Sequence, residues 1–444
     1  HFMSRKPRGR KRGHKTRPAP VRASENVVIT KIAQQGDGEA LLADGTRVFV
    51  PLTLPGDEIS VQPGGKRGDG LTGSVLEYQK QQPRSEPICG VYGKCGGCQL
   101  QHLPAEDYTA WKIQYVKTAL SRHGFDLELR PLRQMQIASR RRATLALVMT
   151  QDGPVLGYNE AYADRIVGMD GCPLLVEPLA KLWAPLRELA KVILPTPSRA
   201  DIAMTAANED ALEIVIISDA ELDLEKRETL AQFAETHDIA RLAWQRSRQS
   251  PEPISARRDV VLNFGDVQIA LPIGGFLQPS RVGQETLQEL VSEGVGDARR
   301  VADLYCGVGT FTFHFARMGK HVLAVDDHAD QIVALNRAAG RHDLGGRIET
   351  KVRDLKESPI FSTDLVGLDA VIFDPPRAGA RGQAEYLADS VVPKIIAVSC
   401  NPATLARDLR ILVDGGYTID HITPVDQFPM TYHVEAVAVL SRSS

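Results

Sequence analysis

Two short stretches of this 444-residue chain set reactive side chains at the ends of apolar runs. Ile395-Ile396-Ala397-Val398-Ser399-Cys400 reads as a buried strand that Asn401-Pro402 breaks, leaving a thiol at its carboxyl end. Ala370-Val371-Ile372-Phe373 ends the same way, in Asp374-Pro375-Pro376-Arg377-Ala378-Gly379. Open α/β sheets bind ligands beyond the carboxyl ends of their strands, so Asp374 and Cys400 belong on one rim. Taken alone, a free cysteine is more often a small core residue. The second strand end favours a nucleophile, since a thiolate attacks electrophilic carbon readily. The last strand, Val434 to Ser441, carries Glu435 at its start, where an acid standing alone is a solvated charge.

A regular sheet must position these groups. From Gln284 onward strands alternate with helices, which predicts a doubly wound α/β fold of the Rossmann kind. Val301–Cys306 is a strand, Gly307-Val308-Gly309-Thr310 a turn, and Phe311–Met318 a helix. His321–Val325 runs into Asp326-Asp327, a helix covers Ala329–Arg341, and Ile348–Val352 leads to Asp354. A glycine turn followed by acids at Asp326, Asp354 and Asp374 makes a carboxylate-lined crevice. It suits ribose hydroxyls and the cationic sulfonium of S-adenosylmethionine.

The rest of the chain is built differently. Hydrophobic content of 43% and charged content of 24% are those of a soluble globular protein. No apolar run is long enough to span a bilayer, and the N-terminus lacks the apolar core of a secretory signal, so a cytoplasmic protein with no membrane partner is expected. The net charge of −2 hides an asymmetry. Residues 1–24 carry nine Lys/Arg and no acid, leaving 44 basic against 55 acidic groups in the remainder, a net −11. A basic, Pro/Gly-rich arm on an acidic body points to a disordered tail for a polyanion such as RNA. Residues 25–82 read as about five short strands with a hairpin at Asp44-Gly45, a small β-barrel of the OB kind. Cys89, Cys95 and Cys98 follow at C-x5-C-x2-C spacing, and Cys172 is the remaining cysteine outside the strand ends. Four such thiolates fit zinc or an iron–sulfur cluster, and the chemistry alone does not choose. Residues 83–275 form a central α+β region with a helix over about 105–123. Its run Arg140-Arg141-Arg142 stands before an apolar strand, as a phosphate grip or a solvated edge.

Taken together, Phe276-Leu277-Gln278, Asp303-Leu304-Tyr305-Cys306-Gly307-Val308-Gly309, Asp374-Pro375-Pro376-Arg377, Ser399-Cys400-Asn401-Pro402 and His433-Val434-Glu435 resemble the RNA uracil-5 methyltransferases. Gly36-Asp37-Gly38-Glu39-Ala40 and Leu54-Pro55-Gly56-Asp57 resemble the TRAM domain found on RNA-modifying enzymes. The resemblance spans nearly the whole chain. It implies a basic arm (1–24), a TRAM barrel (25–82), a central domain (83–275) holding a [4Fe–4S] cluster on Cys89, Cys95, Cys98 and Cys172, and a methyltransferase domain (276–444). It also implies cofactor contacts at Gln278, Tyr305, Thr310, Asp326 and Asp374, beside Gly307, Gly309 and Asp354 of the crevice. Cys400 is then the nucleophile and Glu435 the base, in a monomer that methylates uridine in 23S ribosomal RNA. This chain departs from the common pattern with Thr310 for Asn, Asp326 for Glu, and Pro279 after the glutamine. Three alternatives are a transfer RNA substrate, methylation of an exocyclic amine, and a non-catalytic iron–sulfur RNA-binding protein. Exocyclic-amine sites usually carry an aromatic where Arg377 stands and need no cysteine.

Overall fold

The computed structural model describes residues 22–161, 163–208 and 211–442, so the basic arm up to Val21 lies outside the described residues. The chain divides into two compact units. One runs up to Trp111 and takes in Met430–Tyr432; the other comprises Lys112–Pro429 and the chain from His433.

The first unit carries a six-stranded sheet built from Glu25–Val28, Lys31–Ile32, Gly38–Leu41, Arg47–Val50, Glu58–Arg67 and Gly70–Lys80. Val27, Ile29, Ala40, Val48, Val50, Ile59 and Val61 fill its interior. The sixth strand comes from the opening run: Val27–Ile32 reads as one strand in the sequence, and the structure divides it into Glu25–Val28 and Lys31–Ile32. The Leu54–Asp57 step closes on itself: the Asp57 carboxylate accepts from the Leu54 N–H at 2.6 Å and pairs with Arg84.

The second unit holds two larger sheets. Seven strands between Arg142 and Ala256 form the first, flanked by helices Trp183–Ile193 and Leu224–Thr236. The second is the doubly wound sheet. Its elements are α1 (Arg281–Val295), β1 (Arg300–Leu304), α2 (Thr312–Arg317), β2 (His321–Asp326), α3 (Ala329–Arg341), β3 (Ile348–Val352), β4 (Ala370–Phe373), α4 (Arg381–Ala388), β5 (Lys394–Ser399), α5 (Pro402–Asp414), β6 (Thr418–Asp426) and β7 (Glu435–Ser441). The strand order is β3-β2-β1-β4-β5-β7-β6, with the short strand Arg133–Gln134 beyond β6. The first five strands are parallel, and β7 runs antiparallel between β5 and β6.

Burial on both faces explains the unbroken apolar runs. Ala370 and Ile372 of β4 pack with α1, α2 and α3, while Val371 and Phe373 pack with α4 and α5. Val116 and Leu120, from the helix Ala105–Ser121, join the second of these cores. Each such side chain contributes about 1.5–3 kcal/mol over its exposed state, which fixes register and lets the strand ends carry polar groups. Among the described residues, no helix is long and apolar enough to cross a membrane.

Candidate active site

Three adjacent strands bring the reactive groups together. β4 ends at Phe373, so Asp374 is the first residue on the rim, and Cys400 stands at the same place after β5. The antiparallel register pairs Ser399 with Ala436, which sets Cys400 beside Glu435. Glu435 is buried and Asp374 and Cys400 are half-buried. The loop after Asp374 is clamped from α5: Asn401 Nδ2 and Thr404 Oγ1 donate to the Arg377 carbonyl at 3.0 and 3.3 Å. Asn401 also caps α5, accepting from the Ala403 N–H. The Asn401-Pro402 break thus ends the strand, starts the helix and anchors the neighbouring loop.

Two glutamines join the carboxyls. Gln278 Nε2 donates to Asp374 Oδ2 at 3.3 Å, and Gln427 Nε2 donates to Gln278 Oε1 at 3.3 Å and also to Glu435 Oε2. Burial pushes Asp374 up to about 7, with the Gln278 amide opposing. Burial and the Asp374 charge push Glu435 up to about 8, with Gln427 opposing. Burial, then the charges of Glu435 and Asp374, push the Cys400 thiol up to about 12, and Arg377 pulls the other way. At neutral pH Cys400 therefore rests as a thiol, beside the two carboxyls.

The crevice between β1 and β2 has matching geometry. Gly309 sits at φ +97°, and a Cβ there would come within 2.8 Å of the Phe313 ring, so the turn requires glycine. The Gly307 N–H donates to Asp326 Oδ2 at 2.8 Å, and the His328 N–H donates to Asp326 Oδ1 at 2.9 Å. Tyr305 occupies the left-handed region at φ +64°, a strained backbone of the kind that clusters at functional sites. The Thr310 carbonyl accepts from Gln288 Nε2 at 2.7 Å. Asp354 is exposed and caps its own turn through the Lys356 N–H. Asp303 is fully buried; burial pushes it up to about 7, against the 2.6 Å hydrogen bond from Thr312. Its Oδ1 and the Oε1 of Gln331 are buried acceptors with no hydrogen-bond partner among the described residues. The Gln331 oxygen lies 3.3 Å from where a Cβ on Gly307 would stand. Orphaned acceptors around a glycine turn fit the ammonium and hydroxyl donors of S-adenosylmethionine.

Several site residues were not singled out in the sequence. Gln427 follows β6 in Asp426-Gln427-Phe428-Pro429, the same strand–polar–proline punctuation that marks Asp374 and Cys400, and that pattern was the signal available. Lys112 and Asp426 form a fully buried ion pair at 2.9 Å, and Lys112 Nζ also donates to the His433 carbonyl at 2.6 Å. The pair thereby fixes both ends of the segment between Gln427 and Glu435. Arg141 does not line a solvated edge. It is buried, and it donates through Nε to the Gln278 carbonyl at 2.9 Å and through its terminal nitrogen to Gln284 Oε1 at 2.8 Å.

In the first unit, Cys95 is buried and Cys89 and Cys98 are half-buried; Cys172, in the second unit, is half-buried. The Gly97 N–H donates to Cys95 Sγ at 3.4 Å, the kind of bond that supports a thiolate ligand. Among the described residues, the ligand atoms that gather within 4.8 Å belong to Asp326, Asp327 and His328. Asp326 there is already engaged by Gly307 and His328, as part of the crevice.

Residues 350–443 match the family described as tRNA (uracil-5-)-methyltransferase. An uncharacterized RNA methyltransferase of Brucella melitensis is 39% identical over 94% of this chain and 97% of its own length. The 23S rRNA (uracil(1939)-C(5))-methyltransferase of Chromohalobacter salexigens is 32% identical over 98% of this chain and 93% of its own. Among solved structures, the tRNA (uracil-54, C5)-methyltransferase of Pyrococcus abyssi, in complex with S-adenosyl-L-homocysteine, superposes with a TM-score of 0.74. It is 26% identical, covering 94% of this chain and 99% of that one.

Proposed function

The chain belongs to the RNA uracil-5 methyltransferases, S-adenosylmethionine-dependent enzymes, and on that premise we propose that Cys400 is its nucleophile, Glu435 its base and 23S ribosomal RNA its substrate. The observation that carries the residue roles is the meeting of Cys400, Glu435 and Asp374 at the ends of β5, β7 and β4. The similarity to the Chromohalobacter enzyme over nearly all of both chains supports the ribosomal substrate.

Uracil dictates what these groups do. Its C5 is too weakly nucleophilic to be alkylated directly. Cys400 Sγ gives its proton to a neighbouring carboxylate and bonds to C6, and the ring electrons move onto C5 and O4. S-adenosylmethionine, when bound, supplies an electrophilic methyl group on its sulfonium. Glu435 as carboxylate then takes the C5 proton, the C5–C6 double bond reforms, and Cys400 leaves as thiolate. The target base must leave any stack to reach this rim. Gln278, Tyr305, Gly307, Gly309, Thr310, Asp326, Asp354 and Asp374 line the cofactor crevice and its approach. The six-stranded sheet serves as a TRAM-like module for RNA. Cys89, Cys95, Cys98 and Cys172 hold a [4Fe–4S] cluster, a reading supported by the all-thiolate donor set and the sulfur-directed N–H of Gly97.

The roles separate under mutation. Cys400→Ala abolishes methylation and leaves no covalent product. Glu435→Gln permits attack and methyl transfer but not loss of the C5 proton, so an RNA–protein adduct carrying the labelled methyl group survives denaturation. Run with 23S ribosomal RNA and with transfer RNA, the trap also reports the substrate. Normal turnover of Glu435→Gln, or methylation by Cys400→Ala, contradicts the assignment; an adduct confined to transfer RNA overturns the ribosomal reading alone.

A further inference from the structure

We propose that Gln427 is a positioning residue for this reaction: it fixes the orientation of the Gln278 amide and holds the Glu435 carboxyl, so that Asp374, Gln278, Gln427 and Glu435 act as one hydrogen-bonded line. This rests on the reading of Glu435 as the base. Gln427 is 2% exposed, and its Nε2 is the donor to both Glu435 Oε2 and Gln278 Oε1. An amide can be reversed without changing its shape, so its surroundings must choose. The Gln427 Oε1 has no hydrogen-bond partner among the described residues and lies against the first turn of α1. A Cβ built on Gly283 would come within 2.2 Å of it. The start of a helix carries partial positive charge, which favours the carbonyl end there. Reversal would bring the carbonyl against the carboxylate of Glu435 and the carbonyl of Gln278.

With Gln427 so fixed, Gln278 must accept on Oε1 and donate from Nε2, which is the direction seen toward Asp374. Gly283 is then explained by close approach, since any side chain there collides with the Gln427 oxygen. Asp374, from the end of β4, acts on Glu435, and Glu435 in turn acts on Cys400 at the end of β5. Arg377 faces Cys400 and His433, and the Lys112–Asp426 pair lies behind His433. Gln427 is the donor that supports the charged form of Glu435 against burial and the Asp374 charge.

The test is single-turnover conversion of 23S ribosomal RNA to released 5-methyluridine product across pH, with adduct measured on denaturing gels. Gln427→Met keeps the size and removes the amide. It shifts the limb that requires the Glu435 carboxylate upward by about one to two pH units, slows turnover about 8- to 80-fold near pH 7.5, and leaves a fraction of RNA as methylated adduct. Gly283→Ala disturbs the same amide with every polar side chain in place, so it shifts the limb in the same direction; combined with Gln427→Met it adds little. Should Gln427→Met not fold, Gly283→Ala decides alone. An unmoved limb, or a rate loss equal at every pH, overturns the proposal. Glu435→Gln run alongside separates the two readings: if it traps adduct while the limb stays put, only the role of Gln427 fails; if it traps none, the base assignment fails.

Discussion

At the scale of single residues the site is a set of carboxyls kept out of water. Asp303, Asp374 and Glu435 are pushed up to about 7, 7 and 8, chiefly by burial. A carboxyl whose folded value lies above its unfolded one, near 4, stabilises the fold fully below pH 4 and loses that contribution as pH rises through 7 to 8. The enzyme without ligands therefore loses thermal stability between pH 5.5 and pH 9. Asp303→Asn removes one of these groups and keeps an oxygen for the Thr312 hydroxyl. It should match or slightly trail the wild type at pH 5.5 and exceed it by about 2–8 °C at pH 9, in scanning calorimetry. An equal loss at both pH values would mean that Asp303 is held as a charged structural acceptor. Cys400 and Asp374 were legible in the sequence because each interrupts an apolar run just before a proline. Gln427 was not singled out, since a neutral amide has no chemistry of its own and its role appears only once Gln278 and Glu435 are beside it.

At the scale of elements, the alternation of strand and helix after Gln284 was readable from period and punctuation, and the boundaries of α3 agree to the residue. Partners far apart in the chain were not readable. Lys112 and Asp426 stand 314 positions apart, and nothing local marks either as half of a buried pair. Within the Arg140-Arg141-Arg142 run, Arg141 departs from the solvated edge for a related reason. A cluster of positive charge in a sequence resembles a phosphate grip or a solvated edge, whereas the fold turns Arg141 inward as a clamp on the loop carrying Gln278. Burial, with Arg281 and Arg142 nearby, lowers Arg141 to about 10, so it stays charged at neutral pH. Arg141→Lys keeps the charge and loses the fork that reaches the Gln278 carbonyl and the Gln284 side chain together. The expected result is an affinity for S-adenosylmethionine about tenfold weaker by calorimetry, with RNA binding and its salt dependence unchanged. A residue that gripped phosphate would behave oppositely, reducing the slope of log affinity against log salt by about one and sparing the cofactor.

At the scale of the whole molecule, composition pointed to a globular chain and the strand–helix alternation to the α/β class, but neither chose the chemistry of the cysteines. Six cysteines in one chain permit disulfides, zinc, a cluster or mere core packing, and only their spacing narrows the choice. Two of the six are accounted for by the fold: Cys306 is buried beside the glycine turn, and Cys400 stands at the reactive rim. The other four come from two separate stretches of sequence, so a shared metal centre would tie those stretches together, and its loss would register first as stability. Protein purified without air should be brown and carry about four iron atoms per chain. Cys89→Ser, Cys95→Ser, Cys98→Ser or Cys172→Ser should each bleach it and lower the melting temperature. Methyl transfer per folded molecule should persist, because none of the four belongs to the rim of Cys400. Colourless protein with one zinc per chain would replace the cluster by a tetrahedral thiolate site. Iron retained by Cys172→Ser would instead remove Cys172 from the ligand set, leaving the three thiolates of the Cys89–Cys98 loop to find a fourth donor elsewhere.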